Sequence, residues 1–291
     1  ALGLVASAGV VIVAEVQTIR HERDTGLSFP ADEPGRKYAL DPERVPDLNE
    51  DGFNDTNWVR PKPEGTLRVA LLGDSVAYGS GLAQRDVFPQ VAEAILVEAG
   101  RSIEILNLSI YGYDVEQEAA TLRYQGWSLE PDLVVYAWFS NDHLPSTLLR
   151  VGDDELPVFV GSALPPGLEM WGGDALIWLA RRSALARRYL GDRVARHLKT
   201  DRGARGDEAF FDAHLRAMIA DAREHGVPIA VYGVAPHVLA DPDLARCDEQ
   251  TKRGSRFCSS QLRGHNETWR QVDALGVPFL SSVPWLRTGT D

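Results

Sequence analysis

The apolar run Val69-Ala70-Leu71-Leu72 stops abruptly at Gly73-Asp74-Ser75, and glycines recur at 79 and 81. A short apolar run closed by glycine reads as a buried strand, and the residues just past it lie at that strand's carboxyl end. In an open α/β sheet ligands bind there, so Ser75 stands where a nucleophile would meet substrate. Gly73 permits a tight turn. Asp74 and Ser75 can satisfy the first N–H groups of a following helical turn, and those groups can hold an anion. The same tripeptide also serves as an ordinary strand-to-helix turn, and alone it decides nothing about chemistry.

Two further segments end in the same way. In I-E-I-L-N-L-S-I-Y-G-Y-D the run Ile105 to Leu108 leads to Gly112, and in L-V-V-Y-A-W-F-S-N-D-H the run Leu133 to Phe139 leads to Asn141. Three parallel strands would therefore deliver Ser75, Gly112 and Asn141 to one edge of one sheet. A tetrahedral intermediate of acyl transfer needs preorganised donors for its oxyanion, and the Ser75 N–H, the Gly112 N–H and the Asn141 side-chain amide supply three. A side chain at 112 would keep the backbone away from the oxyanion, which gives the glycine a steric reason.

Taken in order, Gly73-Asp74-Ser75, Gly112 and Asn141-Asp142 resemble the motifs of the SGNH (GDSL-type) hydrolases. The phrases L-N-E-D-G-F-N-D before the first strand and E-P-D-L-V-V before the third are also typical of that family. The resemblance extends over roughly 67–280 and is dense over 67–143. It implies a flavodoxin-like fold and a serine hydrolase cleaving an ester through an acyl-enzyme on Ser75, with no cofactor and no metal. Esterase, lipase, thioesterase and carbohydrate deacetylase activities all fit, and the expected substrate is a small-molecule, lipid or carbohydrate ester. O-acyl transfer from the same site is the related alternative, and a non-catalytic binding or assembly module that lacks its base is the rival from another class.

The family's Asp-x-x-His does not occur before the last residue, Asp291. Serine needs an adjacent base, usually a histidine oriented by a carboxylate. Two expectations follow: the histidine lies beyond Asp291, with Asp291 itself a candidate triad acid, or another base acts. Of the seven histidines, His237 in I-A-V-Y-G-V-A-P-H falls just past the fourth expected strand and is the best internal substitute. His143 can line the pocket. His265 reads as a helix-face residue, His21 as part of a charged linker, and His197, His214 and His225 as exposed positions in Arg- and Asp-rich helices.

Period and punctuation give strands near 67–72, 103–108, 133–139, 229–232 and 277–280, and helices near 88–99, 115–127, 174–198, 208–225 and 260–275. Strands alternating with helices demand a parallel sheet with helices on both faces, a three-layer α/β/α sandwich of five strands. With 291 residues and 44% hydrophobic content, the chain can bury one large core. The expected organisation is a membrane anchor or signal segment over 1–16, an extended arm or linker over 17–66, and the hydrolase-like domain over 67–291. An irregular insertion at about 144–173 carries Leu156, Phe159, Leu164, Met170 and Trp171, which suit a pocket wall or a self-packed surface excursion.

A net charge of -12 argues against nucleic acid, which demands a basic patch. The arginines of R-R-S-A-L-A-R-R at 181–188 interleave with leucine at helical spacing and suit a solvated face. Ala1 to Ala14 is apolar throughout, yet 14 residues at about 1.5 Å each reach only roughly 21 Å of a hydrocarbon core of about 30 Å. It reads as the end of an anchor or signal core, with attachment through the N-terminus, or as a buried helix. Cys247 and Cys258 bracket a polar loop, as a disulfide would in an oxidising compartment. Together these point to an extracytoplasmic location.

Overall fold

The computed structural model describes residues 38–143, 208–250 and 257–288, with isolated positions at 17, 26–28, 30, 33, 35–36 and 183–186. The expected anchor over 1–16, the insertion over 144–173 and most of the expected helix over 174–198 lie outside the described residues, as do His21 and His197. Among the described residues, no helix is long and apolar enough to cross a membrane.

A two-residue strand β1 (Leu27–Ser28) pairs antiparallel with β2 (Ala39–Leu40) ahead of the main sheet. The main strands are β3 (Leu67–Gly73), β4 (Ile103–Asn107), β5 (Leu133–Trp138), β6 (Ile229–Gly233) and β7 (Phe279–Ser281). They lie in the order β4-β3-β5-β6-β7, and each neighbouring pair is parallel. Between and after them run α1 (Ser75–Tyr78), α2 (Phe88–Glu98), α3 (Val115–Tyr124), α4 (Glu208–Glu224), α5 (Leu244–Gln250), α6 (Phe257–Ala274) and α7 (Val283–Thr288).

Alternation along the strands builds the layers. Ala70 and Leu72 of β3 join Leu106, Val134, Tyr136 and Val231 in one core, packed with Val115 and Leu122 of α3 and Phe211, Leu215 and Met218 of α4. Their neighbours Val69 and Leu71 point the other way with Ile105 and Ala137, against Phe88, Ala92 and Leu96 of α2. Helices thus cover both faces of a five-stranded parallel sheet, the three-layer α/β/α arrangement expected from the sequence. Leu72 and Phe211 are fully buried, and truncating either to alanine would cost about 2–5 kcal/mol.

The strand order fixes where a site can form. From β3 the chain crosses through α2 to β4 on one side, whereas from β5 it crosses through α4 to β6 on the other. The loops leaving β3 and β5 therefore diverge, and the crevice between those strand ends is the switch point where such sheets bind ligands. Ser75 follows β3 and Asn141 follows β5.

Residues 38–55, ahead of β3, pack against the core. Tyr38, Leu40 and Phe53 belong to the larger core, and Asn49, Asn54 and Asp55 are buried. The Asn49 carboxamide oxygen accepts from the Asp51 and Phe53 N–H groups, which folds L-N-E-D-G-F-N-D into a tight loop. At the opposite end of β3, Arg68 is buried, paired with Glu104 at 2.6 Å and donating to the Leu129 and Val59 carbonyls.

Candidate active site

α1 is a single helical turn, and a lone turn is not stable by itself because nucleation fixes several dihedrals for one hydrogen bond. Its surroundings hold it. Asp74 is the N-cap, with its Oδ1 accepting from the Val76 N–H at 2.9 Å. Gly73 meets a steric demand different from the turn expected of it. A Cβ there would sit 2.7 Å from the Ala77 Cβ and 3.3 Å from the Ala137 carbonyl oxygen, so only glycine lets β3, β5 and α1 close up beneath Ser75.

The expected strand-end residues converge in part. The Asn141 Nδ2 donates to Asp74 Oδ2 at 2.8 Å, and the Ser75 Oγ lies 3.4 Å from that same oxygen. Ser75 and Asn141 thus flank one carboxylate. At 3.4 Å the Ser75 contact is too long for a strong O–H to carboxylate bond. An amide nitrogen carries two hydrogens, so the bond to Asp74 orients Asn141 and leaves its second hydrogen for another acceptor. Gly112 has φ +77, and a Cβ there would sit 2.7 Å from the Tyr38 hydroxyl. That hydroxyl donates to the Tyr111 carbonyl, and the Tyr113 hydroxyl donates to the Tyr38 carbonyl, so the Gly112 loop is tied to the segment before β3.

Beneath these residues lies a buried acidic layer. Asp142 is fully buried and its Oδ2 accepts from the Tyr136 hydroxyl and the Phe139 N–H, both at 2.8 Å. Glu118, on the inner face of α3, is buried as well. Burial first, and then the Asp142 and Asp74 charges, push the Glu118 carboxyl well above the ordinary range. Burial and Asp74 do the same to Asp142. Asp74 is also raised by burial, an effect opposed by its hydrogen bonds from Val76, Asn141 and Ser75. Burial and mutual repulsion thus both favour the protonated forms of Glu118 and Asp142.

None of the described histidines hydrogen-bonds Ser75. His143 is buried beside α4 and α6: its ring stacks on Phe211 with centroids 3.9 Å apart, its Nε2 meets the Thr268 hydroxyl at 3.2 Å, and its Nδ1 lies 3.3 Å from Glu208. The Thr268 contact engages Nε2, whereas Nδ1 is buried without a hydrogen-bond partner among the described residues. His265 faces inward from α6, with Nε2 2.8 Å from the Ser281 hydroxyl, and burial lowers its pKa. His225 stacks on Trp127 and bonds the Asp221 carbonyl. His237 is exposed at the start of a 3-10 turn, His237–Ala240, directly after β6. Among the described residues, no group of three or more His, Cys, Asp or Glu is arranged to hold a metal ion.

Three supporting residues were not assigned a role at the site from the sequence. Asn107 donates from its side chain to the Ala77 carbonyl at 3.0 Å, Asn54 donates to the Tyr78 carbonyl at 2.7 Å, and Asp55 accepts from the Asn107 N–H at 2.8 Å. The available signal was a polar Asn inside an otherwise apolar strand, and the L-N-E-D-G-F-N-D phrase itself.

No protein-family model matches the chain, and no curated protein sequence matches it. Solved structures do match. Among them are several esterases, one of them of the SGNH-hydrolase family, and a GDSL-like lipase. An acetyl xylan esterase, AlAXEase, aligns at 12% identity and a TM-score of 0.43, over 76% of this chain and 80% of its own. The psychrotrophic esterase EstA from Pseudoalteromonas sp. aligns at 11% identity and 0.39, over 76% and 92%. AlinE4, an SGNH-hydrolase family esterase, aligns at 15% identity and 0.35, over 75% and 77%.

Proposed function

We propose that the protein is a serine hydrolase that cleaves an ester at Ser75. The observation that carries this reading is the shared Asp74 oxygen at the switch point, which brings the Ser75 hydroxyl and the Asn141 amide together at the carboxyl ends of adjacent strands. In the proposed reaction the Ser75 Oγ attacks the ester carbonyl carbon and its proton passes to a general base. The oxyanion is held by the Ser75 and Gly112 N–H groups and the second Asn141 hydrogen. The ester C–O bond then breaks, and the alcohol leaves with the proton from the base. Water attacks the acyl-enzyme in the same way and releases the acid.

His237, exposed in the loop that follows β6, is the candidate for the base. Transfer of the acyl group to a sugar hydroxyl differs only in the second acceptor. A small-molecule, lipid or carbohydrate ester suits the same site. An extracytoplasmic location with attachment through the apolar N-terminus belongs to this proposal, and the Cys247–Cys258 disulfide supports it because such bonds persist in oxidising compartments. The test is turnover of p-nitrophenyl acetate by the protein and its Ser75→Ala variant. The proposal expects release of nitrophenol that the variant lacks, and equal release from both would refute it.

A further inference from the structure

We infer that Asn54 and Asn107 are positioning residues for Ser75, setting its aim by gripping the far end of α1. This rests on the proposed role of Ser75 for its catalytic consequence, though not for its structural one. The short helix has a problem at each end. Its N-terminal side is held by the Asp74 cap, and Asp74 O accepts from the Tyr78 N–H at 2.8 Å. At its C-terminal side the last carbonyls have no helical partner, because the chain leaves through Gly79 in the left-handed region. Ser75 O alone takes the returning N–H groups of Gly79 and Ser80.

Two of the remaining carbonyls at that end receive side-chain amides from two separate parts of the fold. Ala77 O accepts from Asn107 Nδ2 and Tyr78 O from Asn54 Nδ2. Asn107 ends β4 and is itself fixed on two further sides. Its Oδ1 accepts from the Ser109 N–H at 3.2 Å, and its own N–H is taken by Asp55. Asp55 also accepts from the Trp58 indole at 2.9 Å and the Thr56 N–H at 2.7 Å. One loop, 49–58, therefore grips α1 directly through Asn54 and indirectly through Asp55 and Asn107. A serine on a single turn moves with that turn, and a misplacement of about 1 Å can cost about a hundredfold in rate. In this account the L-N-E-D-G-F-N-D phrase is the back brace of the nucleophile.

The test uses the full chain with Asn54→Asp, Asn107→Asp and Asn107→Ala. Each removes an amide donor, and the aspartate substitutions keep the shape. Two readouts are taken beside thermal unfolding: the rate of Ser75 phosphonylation by a fluorophosphonate, and hydrogen exchange of the amides over 75–80. Exchange over 75–80 is expected to quicken in all three variants relative to the rest of the sheet, whether or not Ser75 is a nucleophile. Phosphonylation is expected to slow about a hundredfold for the Asn107 variants and about tenfold for Asn54→Asp. In Asn107→Asp a protonated carboxyl can donate to Ala77 O where an ionised one cannot. The phosphonylation rate of that variant relative to wild type should therefore climb as pH falls, while the Asn107→Ala ratio stays flat.

Exchange over 75–80 unchanged from wild type in Asn54→Asp, or phosphonylation at the wild-type rate in a folded Asn107→Ala, would overturn the inference. Failure of the wild-type protein to react, with exchange quickened in the variants, would instead remove the proposed function and leave the brace in place. Should the Asn107 variants not fold, Asn54→Asp, which disturbs a bond nearer the surface, carries both readouts.

Discussion

Asn141 Nδ2 donates to Asp74 Oδ2 at 2.8 Å, joining the end of β5 to the cap of the turn that carries Ser75. This single bond connects two sequence positions 67 apart and makes the Asn141 amide a fixed donor. The Asn141→Ala variant should therefore lose about two to three orders of magnitude in kcat with little change in KM, since an oxyanion donor acts mainly in the transition state. Steady-state kinetics on a p-nitrophenyl ester would check it. An unchanged kcat would make Asn141 a purely structural partner of Asp74.

Asp74→Asn keeps the shape but places a second amide against Asn141. With the Val76 cap retained through the carbonyl oxygen, the new NH2 faces Asn141 Nδ2 and the acceptor for Asn141 is lost. The expected result is a fall in kcat similar in kind to that of Asn141→Ala, with a stability loss of no more than about 2 kcal/mol in urea unfolding, the upper range for a disturbed cap.

How much of this site could be read from the sequence depended on whether a residue's task is local. Gly73, Asp74 and Ser75 sit on one turn, and the apolar runs before Ser75 and Asn141 reveal the neighbouring strands β3 and β5 that carry them. The five sheet strands were legible for the same reason, with β7 displaced by one or two residues because only Phe279–Ser281 pairs with β6. Residues that act at a distance were not. Asn54 and Asn107 reach α1 from separate segments, and no periodicity records that. The helix expected over 115–127 breaks at Tyr124 into a 3-10 turn, Gly126–Leu129, where Gly126 packs against Leu122 and Leu108. The packing of His143 was not legible either, because Phe211 and Thr268, which its ring meets, lie far along the chain.

The buried acidic layer gives stability a defined pH dependence. Burial raises Glu118 and Asp142, so the folded state holds protons that the unfolded chain would release. Their contribution is fully present below the ordinary values of 4.5 for Glu118 and 3.8 for Asp142 and is lost as pH rises through the raised folded values. Glu118→Gln mimics the protonated form. Its Tm should match or exceed that of the wild type at neutral pH, and its Tm should decline less as pH rises. A wild-type Tm that climbs steadily with pH through this range would contradict the assignment.

Cys247 and Cys258 are joined across a sequence separation of 11, and between them Asp248 caps α6 by accepting from the Cys258 and Ser259 N–H groups. A cross-link closing so short a loop stabilises by about 2–3 kcal/mol. Thermal unfolding with and without reductant should show a loss of that size, and the Cys247→Ser, Cys258→Ser double variant should match the reduced protein. Unfolding indifferent to reductant would show that the bond adds no stability.

The central claim is that Ser75 is a nucleophile aimed at the switch-point crevice. It is tested most directly by treating the protein with a fluorophosphonate and mapping the adduct by mass spectrometry, beside the Ser75→Ala variant, whose fold is confirmed by circular dichroism. The account predicts a single stoichiometric adduct on the peptide containing Ser75 and none on the folded variant. A wild-type protein that remains unmodified, or a variant labelled to the same extent, would contradict it.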